Sequence, residues 1–404
     1  MSEIGAKQYI CIFGGGAIRG LAYLGALRAM NELGIEIKSF AGSSVGAVFA
    51  VYAALDYKYE EFEKLFEEVN FDLFRDVQLN LAKNFAISKG EHFLNWLRAG
   101  IEKKVYGEKY VKNENKLVTF KDINKDIFII TSDINGCKPC VFSKYTTPDF
   151  EIAQAVRIST AMPGLLEPFK YEDKVLIDGD MMKSWPMWQI NNLLCPDDCR
   201  VLEFRLEGSR YWPNVKNSIE YLNAVFATMS NFATENIIDT YKNNDKFDYI
   251  KIDTEHVLPV QFTLPQKDRE VLIELGYNTT LEYFTKTLVY KKKDILPFYT
   301  VILDFLIKIR NGLTNNKISF VKSELGELFV CLDEAKTRVD ESVYKSIVEL
   351  KNEFYNQITK SPFLKHLQLK DRRLFVGVLD KLYDDVLERC MELESYITSF
   401  EQRE

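Results

Sequence analysis

Apolar residues fall into two rhythms along the first part of the chain. Tyr9 to Phe13 is an unbroken apolar run, which predicts a buried strand beginning near Gln8. Leu21, Leu24 and Leu27 recur at threes and predict a helix from about Gly20 to Glu32, stopped by Gly34. A second strand near Ile35 to Phe40 then leads into a helix that starts at Val45. Strand, helix, strand with short joins is a βαβ unit. Its right-handed crossover makes the strands parallel and brings their C-terminal ends to one edge of the sheet. Further strands are expected at Ile127 to Ser132, Val175 to Ile177, Val201 to Phe204 and Tyr249 to Ile252, with helical patterns between them. Asn135-Gly136, set between Ile127 to Ile130 and Val141-Phe142, is a hairpin signal.

The pattern changes after a helical run from Pro265 to Leu288. From about Ile295 onward the periodicity is helical and no strand is expected. Phe375, Leu379, Leu382, Val386, Cys390, Leu393 and Ile397, spaced by threes and fours, make one continuous apolar stripe. The expected architecture is therefore α/β: a central, mostly parallel sheet flanked by helices in residues 1–290, followed by an α-helical domain in residues 291–404. That helical part either covers a face of the first domain or serves as a contact for a protein partner or a second copy.

Composition narrows the function classes. With 404 residues, 47% hydrophobic and 27% charged, the chain is an ordinary folded protein. The net charge of −7 belongs to residues 1–290, since residues 291–404 carry 19 basic and 19 acidic side chains. No basic tail or arginine-rich stretch is present, and Lys291-Lys292-Lys293 is too short to serve as one, so nucleic acid is not the expected partner. Met1 to Lys7 has no basic segment leading into a long apolar one, and no stretch reaches the ~18 apolar residues of a membrane span. A cytoplasmic protein, peripheral at membranes, is expected, with a translocated effector as the other reading. Seven cysteines point to reduced thiols. Cys137 and Cys140 with Cys195 and Cys199 are a conceivable zinc set, but the second pair has the wrong spacing and no histidine lies nearby, so no metal is expected.

Two glycine-flanked segments carry the candidate chemistry. The loop Gly14-Gly15-Gly16-Ala17-Ile18-Arg19-Gly20 joins the first strand to the first helix, so its consecutive amides can hold negative charge. Gly42-Ser43-Ser44-Val45-Gly46 is a G-x-S-x-G elbow, in which the glycines permit a sharp strand-to-helix turn and expose the Ser44 hydroxyl at a positive helix end. Together they read as an oxyanion hole and a nucleophile.

A serine needs a base. Only His92, His256 and His366 exist, and each reads more readily as a surface or packing residue. Asp178, at the abrupt end of the apolar run Val175-Leu176-Ile177 and before Gly179, is the better candidate. An aspartate at a strand end can accept the Ser44 proton, although Asp-Gly is also a common turn.

Glycine loop, elbow and Asp-Gly in this order resemble the patatin-like phospholipase family over roughly residues 7–290. The resemblance implies that Gly14 to Gly20 form the oxyanion loop, with Gly15 and Gly16 and a neighbour as donors. It makes Ser44 the nucleophile and Asp178 its base. Thr131 to Gly136, Ile158 to Pro163 and Leu272 to Tyr277 resemble further segments of that family. It implies acyl transfer from a lipid or membrane-surface ester to water, without a cofactor. The chain departs from the pattern at Phe13, at Lys183-Ser184-Trp185-Pro186 and at Asp180, where a small residue is usual. A carboxylate there either raises the proton affinity of Asp178 or points to solvent. Arg19 is expected to brace the loop through carbonyls rather than to meet a lipid phosphate.

Met181-Met182, Trp185, Met187 and Trp188 make an apolar segment, either an acyl-chain wall, a membrane-touching rim or plain core. Three other readings compete. A dinucleotide site would use Glu36, but Gly14, Gly16 and Gly20 are one residue too widely spaced. A Ser44, Asp178, His256 triad fits the chain order of α/β-hydrolases, yet the elbow comes too early in the chain. A catalytically silent patatin fold that binds a partner through its helical C-terminus is the third.

Overall fold

A computed structural model describes residues 9–67, 85–112, 114–182, 200–208, 215–216, 218–241, 247–254, 257, 264–334, 339, 341–360, 367–369 and 372–401. The chain divides into two compact units, Met1–Asp239 with Asp248–Tyr283, and Thr240–Phe247 with Phe284–Glu404.

The strands are β1 (Tyr9–Phe13), β2 (Ile37–Ser43), β3 (Ala86–Ser88), β4 (Asp126–Asp133), β5 (Lys138–Phe142), β6 (Gly164–Leu166), β7 (Phe169–Tyr171), β8 (Lys174–Asp178), β9 (Arg200–Glu207) and β10 (Phe247–Asp253). Eight of them form one mixed sheet in the order β10-β9-β1-β2-β4-β8-β7, with β5 also on β4. Strands β9, β1, β2 and β4 run parallel. β5, β8 and β7 add an antiparallel wing. Every residue of β1 is buried, which is why its sequence is uniformly apolar rather than alternating. The expected hairpin forms, with Ile129 opposite Phe142 and Asp133 opposite Lys138.

Two differences from the sequence reading bear on the site. Strand β2 runs on to Ser43, three residues past Phe40, because Gly42 and Ser43 keep pairing with Ile129 and Ile130. The strand carrying Asp178 is antiparallel to β4, within a sheet expected to be mostly parallel.

The helices of this unit are α1 (Ala22–Glu32), entered through a 3-10 turn at Ala17–Leu21, α2 (Val45–Ala54), α3 (Tyr59–Glu67), α4 (Glu91–Tyr106), α5 (Ile152–Ser159), α6 (Ser218–Tyr241) and α7 (Gln266–Glu282). α2 is apolar on nearly all sides and buried along most of its length. α7 lies close on α1: a Cβ at Gly276 would stand 1.8 Å from the Ala22 carbonyl oxygen, so only glycine allows this packing.

In the second unit α8 (Leu288–Thr314), α9 (Ile318–Glu334), α10 (Glu341–Gln357) and α11 (Arg372–Glu401) enclose their own core. The stripe expected from Phe375 to Ile397 is buried at every one of its seven positions. A short antiparallel ribbon, Ile358–Lys360 with Leu367–Leu369, corrects the expectation of a strand-free C-terminal part. Three residues a side are too few to leave a periodic signal.

Candidate active site

The glycine loop begins where β1 leaves the sheet. Gly14 N–H still donates to the Phe204 carbonyl on β9, at 3.1 Å. The next peptide plane is clamped on both edges. The Gly14 carbonyl accepts from the Tyr23 hydroxyl at 2.8 Å, and the Gly15 N–H donates to Asp180 Oδ1 at 3.0 Å. The two groups belong to one rigid trans peptide and point in opposite directions, so the two bonds together fix its orientation. Tyr23 is fully buried among Phe13, Phe49 and Phe204, and burial pushes its hydroxyl pKa far up. It therefore stays a donor.

Ala17 takes a positive φ of 52° and turns the loop into the 3-10 segment. Arg19 Nε donates to the Gly16 carbonyl at 3.1 Å, the bracing contact expected from sequence. Burial lowers the Arg19 pKa while Tyr23 and Asp180 push it back up. Beneath the loop, Arg205 pairs with Glu203. Burial works against the Arg205 charge, but the Glu203 and Asp180 carboxylates outweigh it and raise its pKa above the ordinary value.

The elbow follows from crowding. Ser44 has φ 53° and ψ −130°, a conformation that non-glycine residues seldom adopt. A Cβ at Gly42 would lie 2.2 Å from the Gly46 carbonyl oxygen, and one at Gly46 would lie 2.1 Å from that of Phe13. The second contact seats the start of α2 against the end of β1, so the last glycine of the elbow also brings the two motifs together.

Asp178 is fully buried and opposite Thr131, one position beyond the pairing of Ser43 with Ile130. Ser44 and Asp178, the expected nucleophile and base, thus lie at one level, at the ends of strands flanking β4. The end of α5 and the residues after it tie them: Ser44 N–H donates to Ser159 Oγ (3.0 Å) and O (3.2 Å), and Asp178 N–H donates to Ala161 O (3.0 Å). Gly179 presses on β4, where a Cβ would be 2.1 Å from Ile130 O and 3.1 Å from Ser43 Cβ. Asp178 Oδ1 accepts the Asp180 N–H at 2.9 Å, and the Asp180 carboxylate also accepts the Ser43 hydroxyl.

Two sequence expectations change. Asp180 does not point to solvent but is buried among these groups. The Gly15 amide is occupied by Asp180, so it is not an open oxyanion donor as expected. Among the described residues no partner holds the amides of Gly16 and Ala17, which head the 3-10 turn. His92 is exposed on the first turn of α4. Met181 and Met182 lie in the turn after Asp178, half-buried, with the Met182 N–H on Ser132 Oγ at 3.2 Å. His256, His366, Lys183, Ser184, Trp185, Pro186, Met187, Trp188, Cys195 and Cys199 lie outside the described residues. Among the described residues no three His, Cys, Asp or Glu side chains gather as metal ligands, and no helix is long and apolar enough to cross a membrane. Tyr23 and Arg205 escaped the sequence reading, and Ser159 entered it only as part of the family-like segment Ile158 to Pro163. Arg205 alone left a signal, as a charge at the same strand face as Glu203 in a run otherwise apolar.

Comparison with known proteins gives a domain match: the model of the patatin-like phospholipases matches residues 11–186. Those residues are a patatin-like phospholipase domain. The patatin-like match takes in the end of β1, the glycine loop, the elbow, Asp178 and Asp180. An uncharacterized Bacillus subtilis protein, YqhO, is 29% identical over 69% of this chain and 98% of its own length. A probable lipid hydrolase of invertebrate iridescent virus 6 is 27% identical over 44% of this chain and 61% of its own. The crystal structure of VipD from Legionella pneumophila shares the fold, with a TM-score of 0.50 and 14% identity over 97% of this chain and 88% of that one.

Proposed function

We propose that the patatin-like domain is a lipid acyl hydrolase of the phospholipase A or lipase type, working through a Ser44–Asp178 dyad. The observation that carries this reading is the shared anchoring of the two residues: one tripeptide, Ser159 to Ala161, accepts the amide of each. Such anchoring holds a nucleophile and a base in register without a histidine.

In the proposed reaction Ser44 Oγ attacks an ester carbonyl and Asp178 takes its proton. The carbonyl oxygen becomes an oxyanion facing the Gly16 and Ala17 amides. Collapse expels the alcohol, protonated by Asp178, and leaves an acyl-serine. Water, deprotonated by Asp178, then attacks that ester, and the fatty acid departs as Ser44 recovers its proton. The positive end of α2, which starts at Val45, favours the anionic states. Arg205 and Arg19 offset the carboxylate charge near the loop. Nothing in this sequence of steps requires a cofactor. In this reading residues 1–290 are the catalytic domain, the protein works at a membrane surface, and residues 291–404 offer a contact for a protein partner.

The test is fatty-acid release from vesicles of mixed phospholipids, read by mass spectrometry, for the full chain, Ser44→Ala and Asp178→Asn. Both variants are expected to lose about 10³-fold or more. Equal product from wild type and Ser44→Ala overturns the proposal.

A further inference from the structure

We propose that Asp180 is a positioning residue: it locks the Gly14–Gly15 peptide plane and couples it to the elbow, so that the amides that follow face the reacting carbonyl. The inference rests on the hydrolase reading and adds a part to it. One carboxylate oxygen, Oδ1, accepts the Gly15 N–H at 3.0 Å and the hydroxyl of Ser43, the neighbour of the nucleophile. The backbone of the same residue donates to Asp178 Oδ1 at 2.9 Å. Asp180 is thus bonded to the glycine loop, the elbow and Asp178 at once.

The physical need for such a tie lies in the loop itself. Three consecutive glycines have little intrinsic preference, and a peptide plane between two of them can rotate to present a carbonyl where an amide is required. Tyr23 holds the oxygen edge of the Gly14–Gly15 plane and Asp180 holds the nitrogen edge. A rotation must break both bonds at once, inside a buried site where each is costly to lose. Gly179 sets the reach of the side chain: its contact with Ile130 O brings the Asp178-Gly179-Asp180 turn down onto β4, and so places Asp180 under the loop. A buried carboxylate near a developing oxyanion would ordinarily oppose catalysis. The charges of Arg19 and Arg205 lie near enough to act on it electrostatically, so what remains is its capacity to accept hydrogen bonds.

Two features separate this role from general support of the fold. The bond needs an acceptor and not a charge, so Asp180→Asn should serve and Asp180→Ala should not. The effect belongs to the transition state, so it should appear in kcat and leave KM alone. Tyr23→Phe releases the opposite edge of the same plane and should give the same signature.

The experiment measures kcat and KM on a soluble short-chain p-nitrophenyl ester for wild type, Asp180→Ala, Asp180→Asn and Tyr23→Phe, with thermal melting of each and labelling of Ser44 by a fluorophosphonate. Asp180→Ala is expected to lose roughly 30- to 100-fold in kcat, on the scale of a weakened oxyanion hole, with KM within about two-fold. Asp180→Asn is expected to recover to within about five-fold of wild type, and Tyr23→Phe to lose roughly 10-fold in kcat alone. Wild-type kcat in Asp180→Ala, or Asp180→Asn no better than Asp180→Ala, overturns the inference. If Asp180→Ala does not fold, an unchanged kcat in Tyr23→Phe overturns it instead. A wild-type protein that neither turns over the ester nor takes the label at Ser44 fails the hydrolase reading itself, which is a different result.

Discussion

The amide of Ser44 donates to both the hydroxyl and the carbonyl oxygen of Ser159, at 3.0 and 3.2 Å, and the same hydroxyl donates onward to Ile130 O at 2.5 Å. The strained Ser44 is thereby tied to the end of α5 and to β4 at once. Strain of this kind persists only where surrounding bonds over-determine it.

Ser159→Ala should therefore relax the elbow. It removes one acceptor from Ser44 N–H and leaves Ile130 O without its donor in a fully buried place. A loss of about 1–3 kcal/mol in chemical denaturation is expected. The rate of fluorophosphonate labelling at Ser44 should fall roughly 10-fold, since the hydroxyl is less well aimed. Labelling at the wild-type rate would mean that the carbonyl of Ser159 suffices.

Much of this arrangement is legible in the amino-acid sequence. Glycines are readable because they mark places where backbone meets backbone, and Gly42, Gly46 and Gly179 all do so. The apolar run of β1 and the stripe from Phe375 to Ile397 are readable because burial on all sides and on one side leave different periods. Asp180 was not readable in the same way. Its role depends on the antiparallel direction of β8 and on a pairing with β4 that spans 47 residues from Thr131 to Asp178, and spacing along a chain carries neither. Ser159 is legible only as part of the segment Ile158 to Pro163, and its role is not, for a similar reason: it ends an ordinary amphipathic helix, and its partner lies 115 residues away.

Gly46→Ala should be among the most damaging single-methyl changes in the chain. The added Cβ would stand 2.1 Å from Phe13 O and 2.6 Å from Gly14 O, and both are backbone atoms that cannot rotate aside. α2 would have to slide away from β1, costing about 3 kcal/mol or more. Gly34→Ala is the control: its φ of +67° is unfavourable for alanine, but nothing lies within 4 Å of the new methyl. It should cost about 1 kcal/mol. Melting temperatures of the two variants, compared side by side, check both figures. Similar shifts would show that steric contact is not what makes Gly46 necessary.

Phe375→Ala tests the core of the second unit. Phe375 is fully buried and packs its ring against Phe354 at 5.4 Å between centroids. Truncation removes a large apolar side chain and leaves a cavity, for about 3–5 kcal/mol. Phe375→Leu fills part of that volume and should recover more than half of the loss. Denaturation of the full chain, followed by proteolysis to see which residues open first, should place early cleavage within residues 284–404.

Arg200 and Asp248 meet in a two-pronged ion pair, Nε to Oδ2 at 2.8 Å and Nη2 to Oδ1 at 2.9 Å, and Tyr283 adds its hydroxyl to Oδ1 at 2.7 Å. Both charges are almost completely buried. Burial alone would lower the Arg200 pKa, but the Asp248 carboxylate reverses this and holds it far above the ordinary value, so the guanidinium stays charged. Removing one partner then strands the other. Asp248→Ala is expected to cost about 3–5 kcal/mol, because a cation fixed in an apolar interior loses its counter-charge. Replacing both, as Arg200→Met with Asp248→Leu, should recover most of that loss, since the large cost comes from breaking the pair and not from lacking it. Calorimetric melting of the wild type, the single and the double variant decides the matter. A double variant as unstable as Asp248→Ala would mean that the pair contributes net stability of its own.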